Sequence, residues 1–71
     1  MTQQQRVSSY VNGCIDNLSL GFTTDVNNII VRTHVFYHLN IMVVGVKGQP
    51  AMEFDISDRN KIINYILIKT E

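Results

Sequence analysis

The sequence predicts an α+β fold: one small domain spanning residues 1–71, with helices packed on an antiparallel β-hairpin or small sheet. Three observations predict it. Residues 41–56 carry a strand, turn, strand pattern. The segments on either side place apolar residues at helical spacing. And 71 residues leave room for one domain only. A small all-β barrel of six strands, built from the same segments, is the competing architecture.

The first element covers residues 2–19. Val7, Tyr10, Val11, Cys14, Ile15 and Leu18 form one apolar stripe at helical spacing. Thr2 with Gln5 three residues on is a capping box, and Gly21 suits a helix end. Ser8, Ser9, Asn12 and Gly13 oppose a helix, and Asn12-Gly13 is a hairpin signal. The stripe and the cap favour the helix. The second element covers residues 24–39. Thr23-Thr24-Asp25 offers N-cap chemistry and an acid at the positive end of a helix. Val26, Ile29, Ile30, Thr33, Phe36 and Tyr37 keep helical spacing, while the β-branched run Ile29-Ile30-Val31 equally suits a buried strand. The cap selects a helix. The third element is the hairpin. A β-branched run over residues 41–46 meets the turn Lys47-Gly48-Gln49-Pro50. Met52, Phe54 and Ile56 then alternate with Glu53 and Asp55. The fourth is a closing helix after the cap Ser57-Asp58, with Ile62, Ile63, Ile66 and Leu67 at helical spacing and Lys69 near its negative end.

Composition narrows the functions. The chain is 45% hydrophobic and 17% charged, below the usual charged share of about 25%. A domain this small buries only about 60% of its unfolded surface. Cys14, the single cysteine, supplies neither an internal disulfide nor a thiolate-rich zinc site. Stability then draws on a partner chain, and a homo-oligomer, a dimer first of all, is expected. Net charge is zero, where domains living on DNA phosphates carry a basic excess. Met1 to Gln5 are polar, without the cationic start and apolar run of a secretory signal. The longest apolar stretch, residues 41–46, is far short of the ~20 residues that span a bilayer. No membrane partner is expected, and the cytoplasm of a cell or of an infected host is the expected setting, with Cys14 reduced.

The chemistry-bearing residues nominate no enzyme, cofactor or metal. His34 and His38 have the spacing of a metalloprotease helix, yet Val35, Phe36 and Tyr37 stand between them and supply no general base. The two are read as surface or interface histidines. Asp16 near Cys14 opposes a thiolate, so a buried thiol is expected. Glu53 and Asp55 read as the solvated face of a strand and Asp58 as a helix-start acid. No glycine fingerprint for phosphate occurs.

What remains is binding. Tyr10, Tyr37 and Tyr65 have the apolar body and polar tip enriched in interface hot spots, and are the expected protein-contact residues. The leading reading is a small intracellular regulatory or accessory protein that binds another protein. A phage- or mobile-element-encoded inhibitor of a host enzyme is one form of it. The alternative is a small DNA-binding transcriptional regulator. Helix, turn, helix and hairpin in that order resemble a winged helix-turn-helix, in which Arg32, Lys47 and Arg59 would meet phosphates and Asn27 or Asn28 read bases. A third reading is an oligomer that binds a small ligand between subunits.

Overall fold

The computed structural model describes residues 2–17 and 21–71. It shows an α+β domain in two layers: two helices packed against one face of a four-stranded antiparallel sheet. The order along the chain is α1 (Gln3–Asp16), β1 (Phe22–Val26), β2 (Ile29–Phe36), a 3-10 turn (Tyr37–Leu39), β3 (Ile41–Val46), β4 (Met52–Asp55) and α2 (Arg59–Lys69). The strands form a meander in the order β1-β2-β3-β4.

Helix α1 starts where its capping chemistry places it. The Gln5 backbone N–H donates to Thr2 Oγ1 at 3.1 Å, and the Thr2 N–H donates to Gln5 Oε1 at 2.9 Å, so two otherwise orphaned donors are satisfied. Val7, Val11, Cys14 and Ile15 are its buried residues. The helix therefore prevails over the hairpin signal at Asn12-Gly13. The expected contribution of Leu18 to the stripe lies outside the described residues.

Residues 24–39 are not a helix. They are the end of β1, a tight turn, β2 and the 3-10 turn. Asn27 and Asn28 both take positive φ, 54° and 67°, the pattern of a type I′ hairpin turn, and asparagine tolerates that region better than most residues. Asp25, read as helix-capping chemistry, caps this turn instead: its Oδ1 accepts the Asn28 N–H at 2.9 Å. The inward residues of β2 are Val31, Thr33 and Val35, in strict alternation. The hairpin expected at residues 41–56 is present as β3 and β4, with Val43 opposite Glu53 and Ile41 opposite Asp55. Helix α2 follows Asp58, whose side chain makes no capping bond.

The core lies between the layers. Val31 and Val35 of β2, Met42, Val44 and Val46 of β3 and Phe54 of β4 meet Val7 and Val11 of α1 and Ile62 and Ile66 of α2. Burying one such side chain contributes roughly 1.5–3 kcal/mol relative to exposure. Arg59, at the start of α2, donates to Asp16 Oδ1 at 2.8 Å and to Asn12 Oδ1 at 3.0 Å near the end of α1. At the other end Asn27 Nδ2 donates to the Thr70 carbonyl at 2.9 Å, and Arg6 reaches the Asp25 carbonyl at 3.5 Å. The helices thus run antiparallel across one side of the sheet. No helix among the described residues is long and apolar enough to cross a membrane.

Candidate functional site

Both helices occupy the same face, so among the described residues the opposite face of the sheet carries no layer. Strand registers fix what stands on it. From β2 come Ile30, Arg32, His34 and Phe36; from β3, Ile41, Val43 and Gly45; from β4, Glu53 and Asp55. Thr23 and Asp25 of β1 complete the face. Its centre is apolar. Ile30 is 41% exposed, Phe36 42% and Leu39 of the 3-10 turn 66%, while Ile41 and Val43 are half-buried among their neighbours. Phe36, Leu39, Ile41, Val43 and Glu53 line a shallow depression of about 290 Å³. The His34 and Phe36 rings stack with centroids 4.5 Å apart and planes at 17°, giving a flat aromatic surface beside it. A second trough, about 320 Å³, runs between Arg32, His34, Val43 and the side-chain-free Gly45.

β3 carries the informative pattern. A strand covered on one face alternates apolar and polar residues, and a near-continuous apolar run belongs to a strand covered on both. β3 reads Ile41-Met42-Val43-Val44-Gly45-Val46. Met42, Val44 and Val46 meet the helices. Ile41 and Val43 point the other way, where no layer formed by the described residues reaches. Neighbouring exposed apolar residues of this kind mark interaction surfaces.

The tyrosines named by the sequence are on three different elements. Tyr10, on α1, is half-buried. Its hydroxyl donates to the Phe22 carbonyl at 2.9 Å and lies 2.7 Å from Thr33 Oγ1. Cys14 Sγ is 3.3 Å from the same Thr33 oxygen. The proton order follows from the carbonyl, which can only accept. Tyr10 spends its proton there, Thr33 donates to Tyr10, and the Cys14 thiol donates to Thr33. Burial pushes both the Tyr10 phenol and the Cys14 thiol above their ordinary pKa values, which keeps this chain of bonds protonated and Cys14 a poor nucleophile. Tyr65, on α2, packs its ring on Phe54 with centroids 5.2 Å apart. Tyr37 is exposed in the 3-10 turn, with its ring beside His38.

The residues of the DNA reading are dispersed. Asn27 and Asn28 form the β1–β2 turn and Lys47 the β3–β4 turn, so these three share one end of the sheet. Arg32 stands on the uncovered face. Arg59 lies at the opposite end, engaged with Asp16 and Asn12. The second helix of a winged helix-turn-helix is absent, because those residues are the β1–β2 hairpin. His34 is on β2 and His38 in the 3-10 turn, so they do not form a helical i, i+4 pair. Among the described residues no three His, Cys, Asp or Glu side chains gather to hold a metal ion. Asp55 is a structural acid. Its Oδ1 accepts from Ser57 N and Oγ at 2.9 and 2.6 Å and from Asn40 Nδ2 at 2.9 Å, and the Ser57 bonds lower its pKa.

Sequence reasoning missed Phe36, Leu39, Ile41 and Val43 as a surface. The available signal was the unbroken apolar run of β3. No family model, no curated protein and no solved structure matches this chain.

Proposed function

We propose that this chain is a small regulatory or accessory protein that works by docking its uncovered sheet face on another protein. One observation carries the reading: β3 is apolar toward both faces, and the chain's own helices cover one. Phe36 and Leu39 are the anchors, and Arg32, Glu53 and Asp55 form a polar rim, the anatomy of a protein interface. Such a face controls a partner by occlusion, covering its active site or assembly surface. A reducing cytoplasm suits the lone buried Cys14.

The test is a paired substitution, Phe36→Ser with Leu39→Ser, against the control Ile68→Ser, an exposed apolar residue on α2. Loss of two hot-spot side chains is expected to weaken protein binding at least ~100-fold, with thermal unfolding of the dilute monomer unchanged and the control binding like wild type. Binding to duplex DNA that falls steeply with salt, together with protein binding indifferent to the paired substitution, would overturn the proposal.

A further inference from the structure

The uncovered face has a charge pattern across its strands as well as an apolar centre. Registers place His34, Val43 and Glu53 side by side on β2, β3 and β4, and Phe36, Ile41 and Asp55 one pair further along. The β2 flank therefore carries Arg32 and the His34 imidazole. The β4 flank carries Glu53 and Asp55. The apolar strip of Ile41 and Val43 separates them.

We infer that the occupant of this face is a second copy of the chain, related by a two-fold axis running along β3. This rests on the docking reading above: self-association and binding of another protein compete for the same face, and the free monomer is the form that docks. A two-fold parallel to the strands lays each β3 over its counterpart and exchanges the flanks, so His34 of one copy comes over Glu53 of the other, and the reverse, two pairs from one contact. An axis across the strands would instead lay Glu53 over Glu53. Only the first arrangement is complementary to itself, as an isologous dimer requires. Thr23 and Asp25 of β1 then fall at the rim beyond the overlap. Aligned packing of two sheets, rotated by about 30° and ~10 Å apart, gives this geometry its usual form.

The available area fits a modest dimer. The overlapping strands β2, β3 and β4 are eight, six and four residues long, a flat footprint of ~300 Å² at ~4.8 Å between strands and ~3.3 Å per residue. The side chains and the Leu39 ledge add to it, and the contact stays smaller than the ~800 Å² per partner of a standard interface, which makes the dimer weak and reversible. Duplex or single-stranded nucleic acid fits less well, because Glu53, Asp55 and Asp25 share the face and would meet phosphates.

The experiment is sedimentation equilibrium of the full chain between ~1 μM and ~1 mM, on wild type, His34→Glu and Glu53→Lys, singly and as an equimolar mixture. Reversible wild-type dimerisation is expected, weakened at least tenfold in His34→Glu, where carboxylates meet twice, and in Glu53→Lys, where both imidazoles lose their carboxylate acceptor. The mixture is expected to recover dimers, because one contact then joins the introduced carboxylate to the introduced ammonium and the other keeps the wild-type His34–Glu53 pair. That recovery also shows that both variants fold. A wild-type monomer throughout the range overturns the inference. If the monomer still loses binding to another protein on substitution of Phe36 and Leu39, the docking reading survives without it. Dimers indifferent to both charge substitutions, or a mixture with no recovery, overturn the two-fold along β3. Nucleic-acid binding that competes with dimer formation at low salt overturns the choice of occupant.

Discussion

The bonds joining Tyr10, Thr33 and Cys14 fasten α1 to β2, and their contribution can be worked from the structure. Thr33→Val keeps the shape of a side chain that is 3% exposed and removes the oxygen shared by Tyr10 at 2.7 Å and Cys14 at 3.3 Å. The Tyr10–Thr33 bond contributes about 1 kcal/mol, and the thiol, a weak donor, adds little. The expected loss is ~1 kcal/mol, or about 4–8 °C in Tm for a domain of this size. Tyr10→Phe should cost about 1–2 kcal/mol, because it also frees the Phe22 carbonyl and leaves the Thr33 proton with only the thiol sulfur. The double variant should cost less than the sum, by a coupling of ~0.5–1.5 kcal/mol. The assay is urea unfolding followed by far-UV circular dichroism at one fixed protein concentration, since self-association would add to apparent stability. Additive losses, with coupling below ~0.3 kcal/mol, would refute the bonded chain.

Three further outcomes follow from local chemistry. Tyr10 and Cys14 both have pKa values raised from their ordinary 10.0 and 9.0. Below pH about 8 both are protonated in the folded and unfolded chains. Above it the unfolded chain loses these protons first, so stability falls as pH rises; urea midpoints from pH ~7.5 to ~10.5 should decline, less steeply for Tyr10→Phe. At the β1–β2 turn, Asn28→Gly should hold stability within ~0.5 kcal/mol and Asn28→Val should cost about 1–2 kcal/mol, because φ is 67° there, as read by thermal unfolding. The Arg59–Asp16 pair is partly exposed on both sides, so Asp16→Asn should cost less than ~1 kcal/mol and the loss should shrink in high salt; a larger, salt-independent loss would show that the pair is not solvated.

The parts of the fold legible in the sequence were those where local chemistry has one outlet. Thr2 and Gln5 can only cap the helix that Gln3 opens, and Met52-Glu53-Phe54-Asp55 alternates as a half-covered strand must. Residues 24–39 failed because the same chemistry has two outlets. An Asp ahead of free N–H groups caps a helix or a hairpin turn equally well, and Val26, Ile29, Thr33 and Phe36 satisfy helical spacing by coincidence. The decisive features were Asn27-Asn28, two residues that tolerate positive φ, and the alternation Val31-Arg32-Thr33-His34-Val35. The site was hidden for a different reason. Whether Ile41 and Val43 are core or surface depends on where both helices settle, and that is a tertiary fact. The tyrosines drew attention as residue types; Tyr10 and Tyr65 make contacts within the domain, Tyr37 is exposed, and the proposed anchors are Phe36 and Leu39.

The central claim is that the face opposite the helices docks on a protein. Carbene footprinting of the chain in its native cell, compared with the purified chain at high dilution, tests it most directly. Phe36, Leu39 and Ile41 should be labelled several-fold less in the cell, while Ile68, 63% exposed on α2, should be labelled alike in both. Equal labelling of Phe36 and Leu39 in the two settings would contradict the account.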